Sequence, residues 1–97
     1  MSTLEVLNPV AEPVESRFER AARPASLAGK RVGLYWNMKS GGDKALDRVE
    51  ELLRARYRDL VFTREHGSVG FLMRHATAAD AGRIAAQCDV VVGTTAD

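Results

Sequence analysis

The stretch that most constrains this 97-residue chain is Asp89-Val-Val-Val-Gly93. A strand with one wet face alternates apolar and polar residues, so three consecutive valines ask for cover on both faces. Parallel sheets flanked by helices supply that cover. The rest of the chain must therefore provide strands to pair with this one and helices to lie above and below it.

Those segments are legible. Arg31-Val-Gly-Leu-Tyr-Trp-Asn37, preceded by Gly29, reads as a first strand. Asp43 is the expected N-cap of a helix whose apolar stripe is Ala45, Leu46, Val49, Leu52, Leu53 and Tyr57. Leu60-Val-Phe-Thr-Arg64 reads as a second strand, and residues 71–75 carry no clear period. Thr77 and Asp80 have capping-box spacing at the head of a second helix, with Ala81, Ile84, Ala85 and Cys88 as its stripe.

Strand, helix, strand, helix, strand with short loops predicts a parallel, right-handed α/β sheet of Rossmann-like or flavodoxin-like type. Open sheets of this kind carry about four to six strands, so the chain reads as the first half of one (β-α-β-α-β). A partner or a second copy could cover the incomplete sheet.

Residues 1–29 differ in character. Pro9, Pro13 and Pro24, the chain's three prolines, all fall there. Leu4, Val6 and Leu7 form a short apolar piece, and the stretch from Glu12 to Arg23 is charged and weakly patterned. This predicts an extended N-terminal arm, with the α/β unit spanning 30–97 and the boundary near Gly29.

Composition excludes several classes. Apolar residues make up 45% and charged residues 28%, with a formal net charge of +1. Arginines are interspersed with acids, so neither nucleic acid nor an acidic membrane is an expected partner. No apolar run approaches the roughly 20 residues that span a bilayer. The N-terminus lacks the basic and apolar regions of a secretory signal, so the expected location is the cytoplasm. Cys88 is the single cysteine, which rules out an intrachain disulfide and a cysteine-based metal cluster.

Ligands of open α/β sheets bind beyond the carboxyl ends of the strands. Two loops lie there. The first holds Asn37, Lys39, Gly41, Gly42 and Asp43. Its glycines let backbone N–H groups approach an anion, yet the same pair also makes an ordinary turn before a capped helix. It fits neither a P-loop nor a dinucleotide fingerprint. The second holds Gly93, Thr94, Thr95 and Asp97, read either as the approach to a reactive centre or as a fraying end. Ser68 in His66-Gly-Ser-Val-Gly70 lacks the first glycine of a nucleophile elbow and reads as a turn residue. His66 and His75 have no ligand partners at metal spacing. Cys88 is expected to be buried and inert, and Tyr35 and Trp36 to serve the core.

Taken in order, several segments resemble the UGSC-motif proteins, a bacterial family of selenoproteins and their cysteine homologues. They are Leu4-Glu-Val-Leu-Asn-Pro-Val-Ala-Glu-Pro13, Arg23-Pro-Ala-Ser-Leu-Ala-Gly-Lys-Arg-Val-Gly-Leu34, Trp36-Asn37 with Lys39 and Gly41-Gly-Asp43, and Asp89-Val-Val-Val-Gly93 leading to Asp97. In that family the valine strand and its turn are followed by selenocysteine or cysteine and then Gly-Ser-Cys. The resemblance implies a selenol- or thiol-dependent oxidoreductase whose reactive residue, encoded by a recoded UGA, follows Asp97. Its substrate would be an unidentified small molecule or thiol. The 97-residue chain would then be inactive alone, with selenocysteine expected in the full-length protein and no other cofactor. The alternative is a stand-alone, non-enzymatic α/β module that binds an anionic ligand or a protein partner.

Overall fold

The computed structural model describes residues 19–70 and 74–95. Its elements are β1 (Arg31–Trp36), α1 (Gly42–Arg56), β2 (Val61–Glu65), α2 (Ala78–Gln87) and β3 (Val90–Thr94). The strands form one parallel sheet in the order β2-β1-β3. Val32 stands between Phe62 and Val90, and Leu34 between Arg64 and Val92.

The order fixes the layers. The crossover from β1 to β2 runs one way along the sheet, and that from β2 to β3 runs back past β1. Right-handed crossovers of opposite direction place their helices on opposite faces. The arrangement is half of a Rossmann-like fold in its flavodoxin-like strand order.

On the α1 face, Val32 and Leu34 are fully buried with Leu46, and Leu60 closes the cluster. Trp36, Val49, Leu53, Tyr57, Phe62, Val90 and Val92 pack around them. Each buried leucine contributes about 1.5–3 kcal/mol. The helical stripe is narrower than the sequence predicts. Ala45 is exposed and Leu52 is 52% exposed, because both lie about 100° around the helix from the line Leu46–Val49–Leu53–Tyr57 at 3.6 residues per turn.

On the α2 face, Gly33 lets the end of α2 approach β1. A Cβ there would lie 2.8 Å from the Cys88 sulfur. Cys88 is buried, as expected, with its Sγ 3.4 Å from the Thr63 hydroxyl, and it caps α2 rather than lying within it. The valines are not covered on both faces as their run predicts. Val90 and Val92 are half-buried toward α1, while Val91 is 48% exposed. The cause is topological: β3 lies at the sheet margin, and α2 packs over β1. Ala81 and Ala85 are exposed for the same reason.

Arg31 and Asp89 close the amino end of the sheet. The guanidinium donates from Nη2 to Asp89 Oδ1 at 3.1 Å and from Nε to Oδ2 at 3.3 Å, and the Arg31 amide donates to Oδ2 at 2.8 Å. The lead-in from residue 19 has neither helix nor strand, but Leu27 reaches the core. Leu4, Val6 and Leu7 of the expected arm lie outside the described residues, as do residues 71–73. Among the described residues no helix is long and apolar enough to cross a membrane.

Candidate functional site at the strand switch point

Because β1 sends its chain toward β2 while β3 lies on its other side, the carboxyl ends of β1 and β3 border the point where strand order reverses. The two candidate loops therefore meet. The last backbone rung is the Asn37 amide donating to Thr94 O at 2.9 Å. Beyond it the Asn37 side chain takes over. Its Nδ2 donates to Thr95 O at 2.7 Å, and its Oδ1 accepts from the Thr95 amide at 3.1 Å and the Lys39 amide at 3.2 Å. Two backbone donors on Oδ1 and one backbone acceptor on Nδ2 match the two ends of the carboxamide.

The loop from Asn37 to Gly41 is tightly wound. Met38 has φ 73°, a left-handed conformation that costs a non-glycine residue about 1–2 kcal/mol. The Asn37–Lys39 hydrogen bond spans it. Lys39 serves the loop through its carbonyl, which accepts from Trp36 Nε1 at 2.7 Å and from the Gly42 amide at 3.2 Å.

Asp43 is not the helix cap. Gly41 occupies that position with φ 90° and no side-chain cap, and α1 begins at Gly42. The left-handed turn into the helix suits glycine, which leaves Asp43 in the first turn, where its charge favours the helix dipole. Gly42 is buried against β3. The Thr94 hydroxyl donates to its carbonyl at 3.1 Å, and a Cβ on it would lie 2.8 Å from Thr94 Oγ1 and from the Trp36 indole.

A shallow crevice opens here, lined by Tyr35, Asn37, Gly93, Thr94 and Thr95. Gly93 pairs with Tyr35 across the sheet and leaves the Tyr35 side uncovered. Tyr35, assigned to the core by its alternation with Trp36, is half-buried and forms a wall of this crevice, with its hydroxyl 3.4 Å from Arg74 O. Only Trp36 packs on the core. The strand period assigned the two residues to opposite faces, but nothing local marked the Tyr35 face as half open. Of the expected site residues, Asn37, Gly93, Thr94 and Thr95 line the crevice; Lys39, Gly41, Gly42 and Asp43 do not, and belong to the turn and first turn of α1 beside Trp36 and Thr94; Asp97 lies outside the described residues.

A second polar cluster lies toward β2. Asp80 forms the expected capping box with Thr77. Its Oδ2 accepts from the Thr77 amide at 2.9 Å, the Ser68 amide at 3.0 Å and the Ser68 hydroxyl at 2.7 Å. The Thr77 amide, then Ser68, hold this carboxyl far below the usual carboxylate range. Arg83 pairs with buried Glu65 at 2.8 Å. Each group is satisfied within the cluster, and Ser68 anchors its loop to Asp80 as a turn residue. Among the described residues no group of three or more His, Cys, Asp or Glu could hold a metal ion.

Fold and site together define a doubly wound α/β protein with a switch-point crevice. The UGSC family profile matches residues 5–97, and the chain belongs to the UGSC family. No curated protein and no solved structure matches it.

Proposed function

We propose that this chain is the N-terminal part of a UGSC-family oxidoreductase, acting in the cytoplasm through a selenol or thiol that follows Asp97. The observation that supports the reading is the tethering of Thr94 and Thr95. Ends of marginal strands fray unless tied down, yet here the Asn37 carboxamide and the Gly42 carbonyl hold both residues at the mouth of the crevice. A reactive residue just beyond them would start the next helix, where free N–H groups and the helix dipole stabilise a selenolate or thiolate. The crevice wall of Tyr35 and Gly93 would receive a small molecule or thiol.

The glycine pair is accounted for by the turn at Gly41 and the packing at Gly42. The anion-binding module therefore draws no observation of its own.

The test is the nucleotide sequence beyond the Asp97 codon. The expected result is UGA or a cysteine codon followed in frame by Gly-Ser-Cys. Any other codon, or no such frame, overturns the reading.

A further inference from the structure

We infer that Arg74 forms a carboxylate-binding subsite on the β2 side of the switch-point crevice, built by a loop that the function proposed above does not use. That loop is fixed at several points. Residues 66–70 leave β2 and join His75 through paired Val69–His75 backbone bonds of 2.7 and 3.2 Å. Gly67 leaves no room for a Cβ against the His75 carbonyl, and Ser68 is tied to Asp80 in the first turn of α2. Arg74 stands at the end of this construction, where its carbonyl accepts from the Tyr35 hydroxyl at 3.4 Å. Tyr35 is a wall of the crevice.

The Arg74 backbone is placed, but its guanidinium is not satisfied. Nε is buried without a hydrogen-bond partner. Nη1 lies 3.5 Å from His66 Nδ1, yet that nitrogen is 2.9 Å from the Gly67 carbonyl, which can only accept. His66 Nδ1 therefore carries its proton, and Arg74 faces a second donor. The carboxylates of the neighbouring cluster are taken. Glu65 pairs with Arg83 at 2.8 Å, and Asp80 is held by Thr77, Ser68 and Arg83.

A buried donor left unpaired costs about 1–3 kcal/mol. A carboxylate that drew the head group away from His66 would pair with Nε and one Nη together, the bidentate geometry a guanidinium presents. Phosphate fits less well. Glu65 and Asp80 set two negative charges against the one charge of Arg83, and Asp80 already fills the N-terminus of α2. The ligand is thus a small monocarboxylate whose apolar body lies along the open face of Tyr35 beside Gly93.

The subsite is complete within the described residues, so its test needs nothing after Asp97. The protein is titrated with butyrate at pH 7 and constant ionic strength, and the Arg74 Nε–H and Tyr35 ring resonances are followed by NMR. Both should shift together and saturate. Butyramide, the uncharged match, should move neither, and inorganic phosphate should bind at least tenfold more weakly. Arg74→Lys replaces the fork by a point charge and should weaken butyrate at least tenfold. An undisturbed His75 amide would show that the loop of this variant is intact. Arg48→Gln, on the exposed side of α1, should bind as the parent does. No saturable shift, an equal response to butyramide or phosphate, or unchanged binding in Arg74→Lys overturns the subsite.

Discussion

Gly42→Ala and Gly82→Ala are the same chemical change in two helices, and the structure gives them opposite signs. Alanine is favoured over glycine in a helix by about 1 kcal/mol in the interior and by less at the first position. At Gly82 nothing lies within 4 Å of the new methyl group, so the full propensity gain is realised. At Gly42 the methyl would stand 2.8 Å from Thr94 Oγ1 and from Trp36 Cδ1 and Nε1, and ordinary contact begins near 3.4 Å. Some 0.6 Å must be found from both groups at once. Neither moves freely: the indole is held to Lys39 O at 2.7 Å, and the hydroxyl to the Gly42 carbonyl at 3.1 Å. Overpacking of this kind costs about 1–3 kcal/mol, which exceeds the propensity gain and leaves a net loss of about 1–2 kcal/mol.

For a domain of this size each kcal/mol moves Tm by about 4–8 °C. Thermal melts followed by circular dichroism should therefore show Gly42→Ala lowered by about 4–16 °C and Gly82→Ala raised by about 4–8 °C. Trp36 fluorescence should change in the first variant alone. A Gly42→Ala protein as stable as the parent would refute the close packing of α1 against β3 on which the site geometry depends.

Leu46→Ala removes a fully buried side chain from the centre of the α1 face and should cost about 2–5 kcal/mol, read from denaturant midpoints at constant m. Arg31, through its side chain and then its backbone amide, holds the Asp89 carboxyl at about 2, below its ordinary 3.8. The unfolded state therefore binds the extra proton between those values, and the stabilisation is complete above about pH 4 and fades as pH falls through 2. Asp89→Asn should be less stable than the parent at pH 7, with the gap closing below pH 4; a gap independent of pH would rule the linkage out. Gly93→Val adds a side chain whose Cβ meets nothing nearer than Tyr35 O at 4.0 Å. It should keep or raise Tm while slowing reaction of a thiol or selenol after Asp97 in the full-length protein with a bulky aromatic disulfide more than with a small methylthiolating thiosulfonate; equal effects on both reagents would show that the crevice is not the approach.

What the sequence revealed and what it hid divide by range. The two helices and three strands follow from spacing within each segment, and the Thr77–Asp80 box from residues three apart. Gly41 displaced Asp43 as the cap because the deciding quantity was a backbone dihedral, which residue preference alone does not set. Val91 is 48% exposed for a different reason. A valine run is covered on both faces only in an interior strand, and whether β3 is interior depends on strand order. The Asn37–Thr95 clamp joins residues 58 apart in the chain, and no periodicity reports it. Sequence marks each loop only by itself; their meeting is a property of the β2-β1-β3 order.

The two ends of the sheet are built for different purposes. At the amino end, the Arg31–Asp89 pair and Leu60 join strand starts by charge and burial, and a substitution there changes stability. At the carboxyl end Trp36 adds to the core, but the ties between the loops are of another kind. Side chains instead bond to backbone: Asn37 to Thr95, Trp36 to Lys39, Thr94 to Gly42. Such contacts add about 0.5–1.5 kcal/mol each but fix the relative placement of three chain segments. A left-handed Met38 in the middle of this construction costs energy that the fold recovers elsewhere, and strain of that kind gathers where geometry matters more than stability. Loss of Leu46 should thus cost about 2–5 kcal/mol, and loss of the Asn37 carboxamide about 0.5–1.5 kcal/mol for each bond it makes. If the two variants lost the same stability, the carboxyl end would be only another part of the scaffold.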